Sequence, residues 1–353
     1  MFSLFFFLVI LGSLLVSMVL TWVIRRAAFA IGVCDEPVGG RKIHQKRTAL
    51  WGGVATGSSI ILALIAVSPL VDGSELRMMQ VVGFGCGIAI LMIGGMLDDA
   101  FTLPSWAQFL FPLAASVVIV LSGSGISYVT NPMGGAFSLV WQKFSFLDGL
   151  LSFSWPADIL TILWLLVVTY AMKLLDGLDG LVSGLTIVSA LLIGALASSL
   201  AYFQPIVALL ALSIAAIHLG FIRFNRSGSI FLGEAGSTIA GFSLAVLSII
   251  SGAKVATAAI ALGIPIIDIG VVVIGRMLRG VSPFRGDATH IHHRLMNAGL
   301  SPRMTARVIW AVAAIFGLAA LTMQTRGKMF LLAGLLILVI GFSVTAYARQ
   351  ARK

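Results

Sequence analysis

Val81–Asp99 reads VVGFGCGIAILMIGGMLDD: an uncharged apolar run that stops on two adjacent aspartates. A second run, Ile159–Leu175, stops in the same way on Asp176-Gly177-Leu178-Asp179-Gly180. Placing one carboxylate in hydrocarbon costs about 3 kcal/mol on insertion scales. Four of them at the ends of apolar runs suggest a polyvalent partner, most simply a divalent metal together with phosphate.

Outward from these two runs the chain repeats the pattern. Of its 353 residues 59% are hydrophobic and only 10% charged, with mean hydropathy +1.08. A soluble domain does not have that balance. A spanning helix needs about 20 apolar residues. The candidate runs are Phe2–Ile24, Trp51–Val71, Met79–Leu97, Trp106–Leu121, Ile159–Leu175, Leu185–Ala201, Pro205–Ile222, Ser237–Ile250, Val255–Ile274, Val308–Met323 and Met329–Ala346. Several are short, so the expected fold is an all-α polytopic membrane protein of about ten to eleven transmembrane helices. One integral-membrane domain covers residues 1–353, because no linker is long enough to separate a second.

The first run is not preceded by a basic residue and is followed by Arg25 and Arg26, the reverse of a signal peptide. It reads as a helix with its N-terminus outside. On that topology 18 of the 23 basic residues fall in odd-numbered loops or at the C-terminus, as the positive-inside rule requires of cytoplasmic segments. The net charge of +10 is thereby explained without nucleic acid. Cys34 falls in the first cytoplasmic loop and Cys86 in a helix, so no disulfide is expected, and no Cys/His spacing suggests zinc.

The same topology gathers the polar clusters on one face. Lys42 and His44 lie in the first loop, Asp98 and Asp99 in the third, Asp176 and Asp179 in the fifth and Glu234 in the seventh. Asp287, His290, His292 and His293 lie in the ninth. One composite site on the cytoplasmic face is the economical reading. Each cluster alone also admits a plainer account. Asp98-Asp99 could solvate a helix end, and Asp176 and Asp179 could cap a Gly-rich turn. Their i, i+3 spacing would otherwise set both on one helical face. Phe231-Leu232-Gly233-Glu234-Ala235-Gly236-Ser237 opens the eighth helix with free amides for an anion, or is an ordinary first turn with Glu suited to the dipole.

His290-Ile291-His292-His293-Arg294 suits pyrophosphate better than metal if the histidines are charged; the plainer reading is a basic loop at lipid headgroups. Lys42 and His44 could serve topology alone. Asp268, inside an apolar run, is a functional candidate or a helix-packing hydrogen bond, and His218 reads as a packed histidine. The outside segment Tyr128–Trp155 is expected to be a re-entrant or amphipathic piece.

Taken in order, Leu97-Asp98-Asp99, Asp176-Gly-Leu-Asp179-Gly, the Phe-Leu-Gly-acid-Ala-Gly-Ser turn and His290-Ile-His-His resemble the polyprenyl-phosphate N-acetylhexosamine-1-phosphate transferases, glycosyltransferase family 4. The His-Ile-His-His form is most similar to the undecaprenyl-phosphate GlcNAc-1-phosphate branch. That resemblance implies a bacterial inner-membrane enzyme with undecaprenyl phosphate and a UDP-HexNAc as partners, Mg²⁺ (or Mn²⁺) as cofactor, and room for a homodimer.

It further implies that Asp98 orients or deprotonates the lipid phosphate, with Asp99 and Asp176 beside it. Asp98, Asp176 and Glu234 would hold the metal. Lys42, His44, Asp179, Asn225, Phe231, His290, His292, His293 and Arg294 would bind substrate. The chain departs from the family at Glu234, usually Asp, where one extra methylene moves the carboxylate by about 1.5 Å. Tyr170 and Lys173 stand where two Asn are usual, and Ala288 replaces a basic residue. Lys173, three residues before Asp176, is expected to pair with it and compete with metal. A non-catalytic homologue that binds lipid carrier or nucleotide is the first rival. A transporter, which would need charge near the bilayer midplane on several helices, is the second.

Overall fold

The computed structural model describes residues 2–36, 47–131, 133–146, 151–251, 255–281 and 290–350. Lys42, His44, Asp287 and Ala288 lie outside them. Thirteen helices follow one another: α1 Phe2–Ile31, α2 Gly52–Val67, α3 Met78–Phe101, α4 Ser105–Leu121, α5 Ala157–Leu175, α6 Leu181–Ser198, α7 Pro205–Asn225, α8 Gly233–Ile250, α9 Val255–Ala261, α10 Gly263–Leu278, α11 Ile291–Asn297, α12 Pro302–Thr322 and α13 Thr325–Gln350.

Among the described residues nine helices are long and apolar enough to cross a membrane, and α4 is a shorter apolar helix. The run Val255–Ile274, expected as a single helix, breaks at Leu262 into α9 and α10, which meet at a bend of 74°. Pro265 sits in the first turn of α10, where a missing N–H costs nothing.

Small residues decide how closely the central helices approach. Helices α7 and α8 are mostly buried, while α1 and α13 are mostly exposed and face the surroundings of the bundle. A Cβ on Gly53 of α2 would lie 2.2 Å from the Gly236 nitrogen, and one on Gly95 of α3 would lie 2.3 Å from the Ala235 nitrogen. Both contacts fall on the first turn of α8, so α2 and α3 touch its backbone directly. That close approach by small residues is the usual packing device in a membrane, where lipid removes the hydrophobic drive between helices.

Among the described residues six short strands form three antiparallel pairs: β1 Cys34–Asp35 with β2 Thr48–Ala49, β3 Tyr128–Thr130 with β4 Ala136–Ser138, and β5 Val140–Phe146 with β6 Leu151–Pro156. The last two replace the re-entrant or amphipathic piece expected at Tyr128–Trp155. The reason lies in the period. Phe144 stands opposite Phe153, and on the other face Lys143 opposes Ser154 and Ser145 opposes Ser152. Alternating aromatic and small residues fit a pleat, whose side chains change face at every step.

At this end of the bundle polar groups serve the scaffold. Glu75 Oε1 accepts from the Ile206 and Val207 amides at the start of α7, at 2.7 and 3.1 Å. Asp158 Oδ2 accepts from the Ser154 amide at 2.5 Å. Arg77 donates to the Gly123 carbonyl at 3.0 Å.

Candidate active site

At the opposite end the terminal turns of α2, α3, α5, α7 and α8 converge. The segment before α8 runs beside the segment before α2. Phe231 N donates to Ala49 O at 2.9 Å, Gly52 N to Phe231 O at 3.1 Å, and Gly53 N to Leu232 O at 2.8 Å. Gly233 starts α8 at φ +74°, a region that favours glycine. This clamp fixes where the free amides of α8 point.

Asp98 and Asp99 lie in the last turn of α3, as the sequence implied. Asp98 Oδ1 accepts from the Leu103 amide at 2.8 Å and from Gln108 Nε2 at 2.9 Å. Asp99 receives the Glu234 backbone amide, and its Oδ2 is buried without a hydrogen-bond partner. A Cβ on Gly233 would lie 3.3 Å from that oxygen. The α8 N-terminus therefore points at Asp99, with the dipole favouring an anion there.

Asp176 and Asp179 do not share a helical face. Helix α5 ends at Leu175, and Asp176 has left it at ψ 65°. Both acids sit in the turn between α5 and α6, where Gly180 takes φ +79°. Asp176 opens onto a cavity of about 330 Å³ lined also by Lys173, Asp179, Asn225, Phe231 and Glu234. Among the described residues no hydrogen-bond donor meets its carboxyl. Burial first, then the charges of Glu234 and Asp179, push Asp176 up to about 8.

Asn225 and Phe231 both border this cavity. The Asn225 amide is engaged at both ends, however: Oδ1 accepts from Gly180 N at 2.6 Å and Nδ2 donates to Ile230 O at 3.0 Å. It staples the Asp-Gly turn to the segment leading into α8.

Lys173 does not pair with Asp176, because Asp176 has turned away from the α5 axis. Its ammonium crosses to α8 and forms an ion pair with Glu234 Oε1. It also donates to Gln108 Oε1 at 2.8 Å. Glu234, Lys173, Gln108 and Asp98 thus form one polar chain across α8, α5, α4 and α3. Gln108 is the residue that sequence reasoning missed. Its signal was a lone amide three residues into an otherwise apolar helix.

The histidines cap a short helix rather than lie in a loop. His290 is the residue before α11, extended at φ −65°, ψ 156°. Asp268 of α10 holds this cap: its Oδ2 lies 2.8 Å from His290 Nδ1, and its Oδ1 accepts from Ile291 N at 2.9 Å and Arg294 Nη2 at 2.8 Å. Arg294 also bonds Ser343 of α13. Arg294 is only 2% exposed, so it supports the cluster from beneath.

His292 is buried at 1% exposure, and neither ring nitrogen has a hydrogen-bond partner. Burial first, then His293, His290 and Arg294, bring it down to about 3, so its ring is neutral rather than the cation expected. The ring lies over the Asp-Gly turn: a Cβ on Gly177 would lie 2.4 Å from its Nε2. His293 packs against it, the ring centroids 4.2 Å apart. His218 of α7 is fully buried, a packed histidine.

The donor chemistry suits a hard divalent cation: Asp98 and Glu234 line one small pocket, Asp176 and Glu234 line the larger cavity, so Glu234 joins the two, and Asp99 carries an unpartnered buried oxygen. Among the described residues no three acidic, His or Cys groups already converge on one point.

Residues 81–252 match the model of glycosyl transferase family 4. A Bacillus subtilis protein described as a probable undecaprenyl-phosphate N-acetylglucosaminyl 1-phosphate transferase is 31% identical over 341 residues, 95% of this chain and 89% of the relative. The Yersinia pestis undecaprenyl-phosphate alpha-N-acetylglucosaminyl 1-phosphate transferase is 27% identical over 357 residues, 96% of this chain and 91% of its own. The Mycobacterium tuberculosis decaprenyl-phosphate N-acetylglucosaminephosphotransferase is 26% identical, covering 89% of this chain and 81% of its own.

Proposed function

The chain belongs to glycosyl transferase family 4, and on that premise we propose that it transfers GlcNAc-1-phosphate from UDP-GlcNAc to undecaprenyl phosphate. A lipid phosphate oxygen forms a bond to the β-phosphorus of the donor. The bond from that phosphorus to the bridging oxygen breaks, and UMP leaves. Such transfers need positioning and charge neutralisation more than covalent help. The observation that carries the reading is the gathering of Asp98, Asp99, Asp176 and Glu234 at the helix ends on one end of the bundle, with Glu234 shared by two adjoining pockets, in a chain alignable with these relatives over nearly its whole length.

Each residue's task follows from its place. Asp98 lies at the end of α3, among the exposed apolar side chains of Leu97, Phe101, Trp106 and Phe109. It is placed to meet the phosphate of a lipid arriving along that surface. Gln108 and the Leu103 amide hold its carboxylate in one orientation. Asp98, Asp176 and Glu234, with Asp99 Oδ2 at hand, would hold Mg²⁺ or Mn²⁺, which would neutralise phosphate charge when bound. The α8 amides offer the donor phosphates a positive dipole end. His290 and His293 flank the same turn through His292, and Arg294 lies buried beneath them. Asp179 and Phe231, which also line the cavity, border the space for the nucleotide.

On this reading the site end of the bundle faces the cytoplasm, where the nucleotide is, from a bacterial inner membrane, and the positive-inside distribution supports that orientation. A bilayer face is where a soluble nucleotide and a buried polyprenol meet. The Lys173–Glu234 pair favours one rival, a homologue that binds lipid or nucleotide without turnover. Purified protein in nanodiscs with undecaprenyl phosphate, Mg²⁺ and a panel of UDP-HexNAc donors separates the two. UMP release with the GlcNAc donor is expected. If no donor yields UMP while the Glu234→Asp, Lys173→Asn double variant does, the native chain is not a transferase.

A further inference from the structure

The carboxylate cavity contains its own cation. Of the described residues lining it, Asp176, Asp179 and Glu234 are acidic and Lys173 alone is basic. Lys173 occupies the last turn of α5, where a basic residue ordinarily does no more than favour the helix dipole. Its ammonium has not stayed there. It reaches the first turn of α8, the positive end of another dipole, where helix electrostatics alone would repel it. What holds it is Glu234, with Gln108 Oε1 at 2.8 Å and the Tyr170 ring 5.4 Å from the nitrogen. Tyr170, Lys173 and Glu234, which look like separate departures in the sequence, meet at this one nitrogen.

We infer that Lys173 is a resident counter-ion of the site, competing with a divalent cation for the Glu234 carboxylate. Lys173 supplies one positive charge and directed N–H donors to an oxygen that a metal ion would otherwise ligate. A cation entering beside Asp99 and Asp176 has either to displace the ammonium from Glu234 or to bind with one ligand fewer. Both weaken it. The longer side chain of glutamate is what lets α8 reach the ammonium on α5. The inference rests on the divalent cation of the proposed function.

Mn²⁺ binding to the full-length protein in nanodiscs, read by electron paramagnetic resonance without substrate or turnover, tests it. Lys173→Gln keeps an amide able to bridge Glu234 and Gln108, and Lys173→Met keeps only the length. Both are expected to bind Mn²⁺ about 10-fold more tightly than the native chain, the scale set by removing one adjacent positive charge. Glu234→Gln is expected to lose that gain when combined with either. Equal or weaker binding in both Lys173 variants overturns the inference, as does the absence of saturable Mn²⁺ binding in all of them. Circular dichroism confirms that each variant is folded. UMP release, measured separately, reports on the transferase reading whatever the Mn²⁺ result.

Discussion

Asp176, in the Asp-Gly turn that His292 packs against, and Asp268, which holds His290, are two carboxylates in opposite states. Asp268 is met by three donors, from His290, Ile291 and Arg294. Among the described residues Asp176 meets none; burial first, then its neighbours Glu234 and Asp179, push it up to about 8. A buried charge that is fully paired stays as it is and orients what surrounds it. One left beside like charges is poised to take up a proton, a cation or a ligand. The first state describes a scaffold and the second a site. Asp268 therefore positions the histidine cluster, while the carboxylates around Lys173 are the groups on which the proposed transfer would draw for charge. The two halves touch at Gly177, where His292 lies on the Asp-Gly turn.

Substitutions break this comparison at different points. The largest effect is expected on the unsatisfied side. Asp98→Asn can still accept from Leu103 N and Gln108 but loses its charge, and UMP release should fall about 10²–10⁴-fold, the range for a positioned acid–base group. An unchanged thermal midpoint shows that the fold survives, and retained turnover removes Asp98 from its role.

On the satisfied side Asp268→Asn should cost about 10–100-fold in turnover, as for other groups that orient a functional residue. Restored turnover with Asp268→Glu would show that the carboxylate positions the histidines rather than merely filling space. Asp268→Ala leaves Arg294 buried beside no carboxylate and should destabilise the protein by about 3–5 kcal/mol in thermal or denaturant unfolding.

The seam gives a smaller change. Gly177→Ala puts a methyl into the His292 ring, so overpacking should cost about 1–3 kcal/mol and lower turnover with it. Wild-type stability and turnover in Gly177→Ala would mean that the two halves are not packed against each other.

His292 sharpens the comparison through pH. In the folded protein it takes a proton only near about 3, whereas an unfolded histidine does so near its model value of 6.5. The unfolded state then binds more protons between those values, so stability falls as pH drops from 6.5 toward 3, by at most about 1.4 kcal/mol per unit. His292→Gln should flatten that part of the profile of thermal midpoint against pH.

Much of the molecule can be read before any fold is known. Long apolar runs have one stable form in hydrocarbon, so the helices and their number follow from hydropathy, and charge bias gathers Asp98, Asp176, Glu234 and His290 at one end. Motif order then identifies the family. Local pattern failed where backbone geometry changes within a few residues. The i, i+3 spacing of Asp176 and Asp179 suggested a helix, but Leu175 is its last residue. The run Val255–Ile274 hid a bend, because apolar composition is blind to direction. The outside aromatics needed the cross-strand partner of Phe144 to declare a pleat.

By itself, then, the amino-acid sequence determined the membrane architecture, the end of the bundle where the polar clusters gather and the family, since each depends on composition and order along the chain. Only the tertiary structure decided which charges meet. Lys173 could reach Asp176 or Glu234 by length alone, and Asp268 could serve catalysis or packing. Those choices turn on distances of a few ångströms between helices far apart in sequence. Gly241 helps set them by letting α8 close on α5 at Val168, Thr169 and Met172, and electrostatic energy changes steeply over that range.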